Sequence, residues 1–391
     1  MVAAIVAALC VTAGVVLASQ LNNHIAQRNS VLERSEPLAY AAQNLYAALS
    51  EVDAAAASEY LSGNETAPVR ARYQQALADA ASALADATAG STDTETRTAV
   101  ADISVRLAAY TGLVETARAN NLQGHVIGSA YLREASSLTQ SGLLPGAEKI
   151  YTRNLATVDR DQRAIGSIPV LGLTLIALAL IAVAAGSVIV FRRTNRQFNI
   201  GLLIAAAALV VTGVFIVVIV RLAAADIEES RTEGTALFGQ FTQARILAEQ
   251  ARTDETLQLI AHGDITAGEK SFTGHIDDLR TLVSPAASAA VDGVNAWAAS
   301  HDTQVKTYLG GDYPGAVALA ISSDPNGSAA RFALVENSLR QEIERTRAAL
   351  RDGVAAAGAW LVWGPTVVLV LTVAAAAATV SGLWPRLKEF L

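Results

Sequence analysis

The side chains best suited to metal or proton chemistry in this 391-residue chain are five histidines: His24, His125, His262, His275 and His301. No two stand four apart, the spacing that presents two imidazoles to one zinc ion on a helix. The single cysteine, Cys10, lies in an apolar run, so no internal disulfide forms and no thiolate pair supplements the histidines. A Gly-rich phosphate loop, a G-x-S-x-G elbow and an EF-hand loop do not occur in the sequence. His262 and Asp264 share a turn, for which a solvated polar loop is the simpler reading. These types and spacings predict no catalytic residue, no metal and no cofactor, and make an enzyme the least expected class.

The strongest local cluster is basic. Arg192, Arg193 and Arg196 lie in "FRRTNRQF", between two of the four apolar runs that dominate the chain. The runs predict transmembrane helices over 1–19, 168–191, 200–221 and 359–381, each close to the roughly 20 residues that cross a bilayer core. Short cytoplasmic loops keep Arg and Lys, whereas long segments cross regardless of charge. The loop 192–199 is therefore expected in the cytoplasm, as is the tail 382–391 with Arg386 and Lys388. Both termini would then be cytoplasmic, in a multi-pass plasma-membrane protein, and segments 20–167 and 222–358 would lie outside. The start "MVAAIVAALCVTAGVVLAS" lacks the basic n-region of a signal peptide. It reads as an uncleaved span, with room for a cytoplasmic tail ahead of it. Segment 20–167 carries 12 basic and 16 acidic residues, net −4, and segment 222–358 carries 11 and 19, net −8. Both are acidic, which makes nucleic acid and anionic lipid poor partners.

The order of span, outer segment and span occurs twice, at an offset near 200 residues. "EYLSGNETAPVRARYQQALADAASAL" from Glu59 resembles "QLIAHGDITAGEKSFTGHIDDLRTLV" from Gln258. Gly63-Asn64 falls on Gly263-Asp264, and an aromatic follows each, Tyr73 or Phe272. Both outer segments are rich in Ala, Leu, Gln, Glu and Arg and predict helices. Leu38, Ala42, Leu45, Leu49, Val52, Ala56 and Tyr60 follow spacings of four and three, the seam of a supercoiled bundle. Phe332, Val335, Leu339, Ile343, Leu350 and Val354 repeat the pattern. Breaks are expected at Gly63-Asn64, Gly90–Asp93, Asn120–Gly124 and Gly142–Pro145 in the first segment. In the second they are expected at Gly263-Asp264, Ser284-Pro285, Gly310–Pro314 and Asp324–Gly327. The predicted fold is all-α: a four-span membrane protein with two tandem extracytoplasmic four-helix-bundle domains. Pro37, Pro169 and Pro365 stand near the membrane boundary, where each can kink its helix.

The apolar runs hold no charged side chain, which argues against a transport path. Trp360, Trp363 and Trp384 read as interface anchors. Gly172, Gly186, Gly201, Gly213 and the alanines at 374–378 suit close helix packing. Function is therefore expected on the outer surface, in the turns at the far ends of the bundles. The candidate partner-binding residues are Asn64, Glu65, Arg70, Arg72, Asn121, His125, Asp264, Asp312, Tyr313, Asp324 and Asn326. Arg70 and Arg72 can fork onto a carboxylate, although a solvated pair facing Glu65 or Asp79 is the simpler reading. Arg192, Arg193 and Arg196 are the candidates for cytoplasmic output.

Two spans bracketing an Ala-rich helical bundle resemble the four-helix-bundle sensor domain of bacterial chemoreceptors and sensor kinases. "LGGDYPGAVALA" at 309–320 resembles a turn-to-helix segment of that superfamily. Two such units on four spans, joined by "FRRTNRQF", are similar to the actinobacterial GlnX family. That resemblance implies a protein coupling an extracytoplasmic amino-acid-binding lipoprotein, GlnH, to the cytoplasmic serine/threonine protein kinase G. The implied signal is nutrients of the aspartate and glutamate type. The expected partners are thus a GlnH-like lipoprotein, a protein kinase G-like kinase and the lipid bilayer, with a homodimer as a further candidate assembly. Two other readings stand beside this one: a receptor binding a small molecule directly in a bundle groove, and an accessory or scaffold subunit of a transporter.

Overall fold

The computed structural model describes the backbone of residues 2–63, 67–194, 199–261, 263–283, 288–322 and 324–387. Side chains are described for these residues except 2–3, 190–194, 288–289 and 383–387. Among the described residues there are helices and turns and no strands. Helix α1 (Val2–Ser30) continues through a π-helical turn at Val31–Ser35 into α2 (Glu36–Ser62). Gly63, at φ 62°, ends α2 because the left-handed conformation costs least without a Cβ. Then follow α3 (Ala67–Gly90), α4 (Thr94–Leu122) and α5 (Gly128–Leu138), which passes through a second π turn, Thr139–Leu143, into α6 (Leu144–Ile165). The second half repeats the order: α7 (Val170–Thr194), α8 (Ile200–Glu229), a π turn at Ser230–Thr235 and α9 (Ala236–Ala261). It ends with α10 (Thr266–Val283), α11 (Ser288–Leu309), the short α12 (Tyr313–Ile321), α13 (Ser328–Leu361) and α14 (Gly364–Leu387).

The prolines act differently from one another. Pro37 and Pro145 each stand two residues after a π turn. A proline lacks the N–H that would bond back along the helix, and its ring crowds the carbonyl four residues earlier. A widened turn at that carbonyl relieves both, so the helix continues. The break expected at Gly142–Pro145 is therefore a bulge inside an unbroken helix. Pro169 and Pro365 instead accompany true interruptions, at 166–169 between α6 and α7 and at 362–363 between α13 and α14.

The chain divides into two compact units. The apolar unit contains Met1–Glu33, Val158–Glu233 and Ala349–Leu391. Four helices of the chain are long and apolar enough to cross a membrane, which fits a membrane protein. In the apolar unit α1, α7, α8 and α14 form a four-helix ring in which α1 and α8 each touch both α7 and α14. Cys10, Ala13, Leu17, Ile176, Ala179, Leu209, Ile216 and Val368 fill its centre. The opposite faces expose Val11, Val15, Leu178, Ile181, Val210, Val214 and Val370. A soluble bundle would place polar groups there, and lipid requires apolar ones. The unit extends about three helical turns past each apolar run, because Val158, Ile165, Ile227, Leu350 and Val354 continue the same seam.

Small residues let α8 and α14 approach. A Cβ on Gly201 would stand 2.5 Å from the Ala378 carbonyl oxygen and 2.5 Å from Gly382 Cα. Asn199 seals this end by donating to Gly382 O at 2.8 Å and accepting from Gly201 N at 3.0 Å. Gly172 is packed as closely against Leu17, while Gly213 has only ordinary contact with Ile176.

The polar unit, Arg34–Thr157 with Gly234–Ala348, holds two bundles. Helices α2 and α9 lie side by side at its centre. The α2 seam read from the sequence is its core face, with Leu38, Ala42, Leu45, Leu49, Val52 and Ala56 all buried. Tyr73 and Phe272, the matched aromatics, are both buried too. Each bundle's leading helix also meets the returning helix of the other. Arg347 on α13 bonds Glu36 at 2.5 Å and lies 3.7 Å over the Tyr40 ring on α2. On the other side Tyr151 of α6 meets Phe238 of α9 at 6.3 Å.

Two outcomes test this packing. Gly201→Leu overpacks the α8–α14 crossing and should cost about 1–3 kcal/mol, read as a lower thermal midpoint of the detergent-solubilised protein. Trp297→Ala, which empties the largest fully buried site of the polar unit, should cost roughly 3–5 kcal/mol in the same measurement.

Candidate functional site

Charged side chains enter the interior of the polar unit along α9. Arg245, Glu249 and Arg252 follow the four-then-three spacing of a seam and are all buried. They face a stripe of small and polar residues on α2 (Asn44, Ala48, Glu51, Ala55 and Ser58) with the same spacing. Between these stripes, closed at the sides by α3 and α13, is a cleft of about 520 Å³. Alanines, among them Ala47, Ala76 and Ala83 from one bundle and Ala329 and Ala333 from the other, stand in its walls between polar and charged side chains. Alanine leaves the space unfilled that a leucine at those positions would occupy.

The charged groups in the cleft are held unequally. Arg252 donates to Glu255 at 2.5 Å and to the Ala320 carbonyl at 3.1 Å, and lies 5.8 Å from the Phe332 ring centre. Arg245 bonds Glu336 through Nη2, while its Nε is buried without an acceptor among the described residues. Arg72 Nε is 3.7 Å from Glu51. The Glu249 carboxylate accepts no hydrogen bond among the described residues. Burial pushes it up to about 8, against the pull of Arg245 and Arg252. Burial also raises Glu51, against Arg72 and Arg252.

Behind Arg252 lies a second cluster, in the core of the second bundle. Both ring nitrogens of His301 face carboxylates: Nδ1 is 3.1 Å from Glu255 and Nε2 is 2.9 Å from Glu269. An imidazole can donate from both nitrogens only when protonated. Burial alone would lower His301, but the two carboxylates outweigh it and raise it to about 9. Burial would likewise raise Glu255, yet Arg252, His301 and Ser328 hold it at about 2. Trp297 donates to Ser328 at 3.0 Å, and Phe272 stacks on the His301 ring at 3.7 Å. The first bundle has a smaller counterpart in buried Asp53, which accepts from Ser136 at 2.7 Å and Tyr110 at 3.2 Å. Burial raises Asp53 to about 6 against these bonds.

The residues singled out in the sequence are dispersed. Arg72 alone among them lines the cleft. Arg70 is occupied in its own bundle, 2.7 Å from Glu115 and 3.6 Å from Glu59, not facing Asp79. Asn121 donates to Tyr60 O at 3.2 Å, and His125 meets Asn120 at 3.3 Å. Asp264 caps α10 through Thr266 N at 2.9 Å, and Asp312 caps α12 through Gly315 N at 2.9 Å. Tyr313 donates to Leu259 O at 3.2 Å. Asp312, Asp324 and Asn326 share a shallow groove at one end of the unit. Asn64, Glu65 and Arg196, and the side chains of Arg192, Arg193 and Trp384, lie outside the described residues. Arg245, Glu249, Arg252 and the His301 cluster escape a search for metal or catalytic motifs. Their signal is charge at seam spacing on a helix.

Residues 27–163 match the family model of an actinobacterial sensor domain. The matched stretch runs from the end of α1 through α6 and so includes the whole first bundle. It supports a sensor family and points to a role in signal sensing. Searches of curated proteins and of solved structures returned no match.

The His301 cluster makes stability depend on pH. A histidine raised by folding stabilises fully below its ordinary value of 6.5, and that contribution is lost as pH climbs through about 9. The thermal midpoint should therefore fall between pH 6.5 and 9, and this fall should be smaller in His301→Gln. An equal fall in both proteins would remove His301 as its cause.

Proposed function

We propose that this chain is a non-enzymatic transmembrane signal transducer. It senses amino acids of the aspartate and glutamate type through a GlnH-like solute-binding lipoprotein and relays the state to a protein kinase G-like serine/threonine kinase. The sensor-domain match over residues 27–163 carries the signalling part of this reading. The GlnX-like arrangement of two such bundles on four apolar helices supports the finer part. In this reading the polar unit is extracytoplasmic. Arg192, Arg193 and Arg196 keep the loop 192–199 inside with both termini, where that loop recruits the kinase.

Continuity of the leading helices supports transmission. The helices α1–α2 and α8–α9 run unbroken through their π turns, so an axial shift at one end is carried along the backbone. The returning helices are interrupted at 166–169 and 362–363, where small changes can be absorbed. Shifts of about 1–2 Å are the usual scale for such signalling. For the lipoprotein contact, Leu122, Val126 and Ile127 are exposed beside the candidates Asn121 and His125. Apolar groups held in solvent among polar ones suit a partner surface.

Photo-crosslinking in intact cells from position 126 should capture one solute-binding lipoprotein, and Val126→Glu should reduce capture at least tenfold. Replacing Arg192, Arg193 and Arg196 by Gln, with topology checked, should reduce kinase recovery. Capture of a transport ATPase and no kinase would favour an accessory subunit of a transporter instead.

A further inference from the structure

We propose that the cleft between the two bundles is itself a ligand site, and that Arg245 and Glu249 take the carboxylate and the ammonium of one small zwitterion of the α-amino-acid class. The site goes beyond the lipoprotein reading, which stands or falls separately.

Among the described residues one buried atom in the cleft, Arg245 Nε, lacks a partner, and the Glu249 carboxyl faces the same cleft without a hydrogen bond. The Arg245 side chain is 8 % exposed and its Nε–H has no acceptor among the described residues. Glu249 is 4 % exposed and its carboxyl accepts no hydrogen bond among the described residues. A buried N–H is rarely left so, because it has given up water without a replacement. One is a donor that a carboxylate satisfies. The other is an acid that an ammonium satisfies. They stand one turn apart on α9, with Cβ atoms on the order of 5–6 Å apart, so a single small molecule reaches both.

The rest of the lining fits that class. At neutral pH burial keeps Glu249 protonated. Arg252 is neutralised by Glu255, which leaves Arg72, Arg245 and Arg340 beside Glu51, Asp79, Asp86 and Glu336. A lining that carries both signs disfavours polyanions and offers a partner to each end of a zwitterion. When the ammonium arrives, Glu249 releases its proton to solvent and the new pair forms. The charged groups bearing on Glu249 are Arg245, Arg252, Glu51 and Glu336. Arg252 is already fixed by Glu255 and the Ala320 carbonyl, so the wall is preorganised. The volume lies within the roughly 300–1,000 Å³ of small-molecule sites. Because α2 and α3 form one wall and α9 and α13 the other, an occupant bridges the two halves of the duplicated unit.

Titration calorimetry on the full chain in lipid nanodiscs, with no other protein, tests this with each of the twenty α-amino acids. Propionate and propylamine serve as half-ligands. At least one amino acid should bind saturably, at least tenfold more tightly than either half-ligand, with release of close to one proton at pH 7. Glu249→Gln should weaken binding at least tenfold while keeping the thermal midpoint, since it replaces a carboxyl that is already neutral. Arg245→Lys, which keeps the charge and removes Nε–H, should weaken it as well. No binding by any of the twenty, propionate binding equally well, or binding unchanged in both variants would overturn the site. If lipoprotein capture in cells survives such a failure, the cleft is excluded and the transducer reading remains.

Discussion

A helix that must bury two faces cannot be amphipathic, and that constraint falls on α2 and α9. Each turns one face into its own bundle and another toward the opposite bundle, so neither has a broad solvent side. On α2 the problem is solved by size. Leu38, Leu45, Leu49 and Val52 fill one seam, and alanines with Asn44, Glu51 and Ser58 line the other. On α9 it is solved by charge, with Arg245, Glu249 and Arg252 placed where a soluble bundle would carry leucine. The cleft follows from pairing these two solutions. Small side chains on one helix leave the volume, and ionisable ones on the other leave it polar.

The repeated order of helices makes such a pair available within one chain. The leading helix of each half meets the returning helix of the other, through Arg347 on Tyr40 and through Tyr151 on Phe238. The contact is reciprocal in the manner of a two-fold dimer, although the two halves are covalently joined and their side chains have diverged. The two bundles differ in their buried polar groups. Asp53 in the first bundle is a single acid among hydroxyls, whereas the second bundle encloses Arg252, Glu255, Glu269 and His301 as a charge-balanced set. Paired charges of this kind tolerate burial because each desolvated group keeps an opposite partner.

Glu249 and Glu255 show how sharply position decides behaviour. They lie six residues apart on one helix and are both buried. Glu255 has Arg252, His301 and Ser328 in contact and stays ionised, and Glu249 has only more distant arginines and is neutralised by burial. Separated protonation states on neighbouring carboxyls mark sites where environment has been arranged for a task.

The sequence alone was sufficient for the helical class, the four apolar spans, the seam from Leu38 to Ala56 and the glycine turns at 63 and 263. These depend on periodicity, run length and local backbone freedom, all of which are carried by neighbours along the chain. It also located Arg72, which is exposed as expected, and it placed a break at Gly142–Pro145 where a widened turn keeps the helix whole. Only the tertiary structure decided that Arg70 is consumed by Glu59 and Glu115, that His301 is clamped between two acids, and that Glu249 faces the cleft. Those outcomes are set by which groups from distant helices share a volume from which water is excluded. In the sequence, a charge at seam spacing reads the same whether it faces solvent, a partner or an empty cleft.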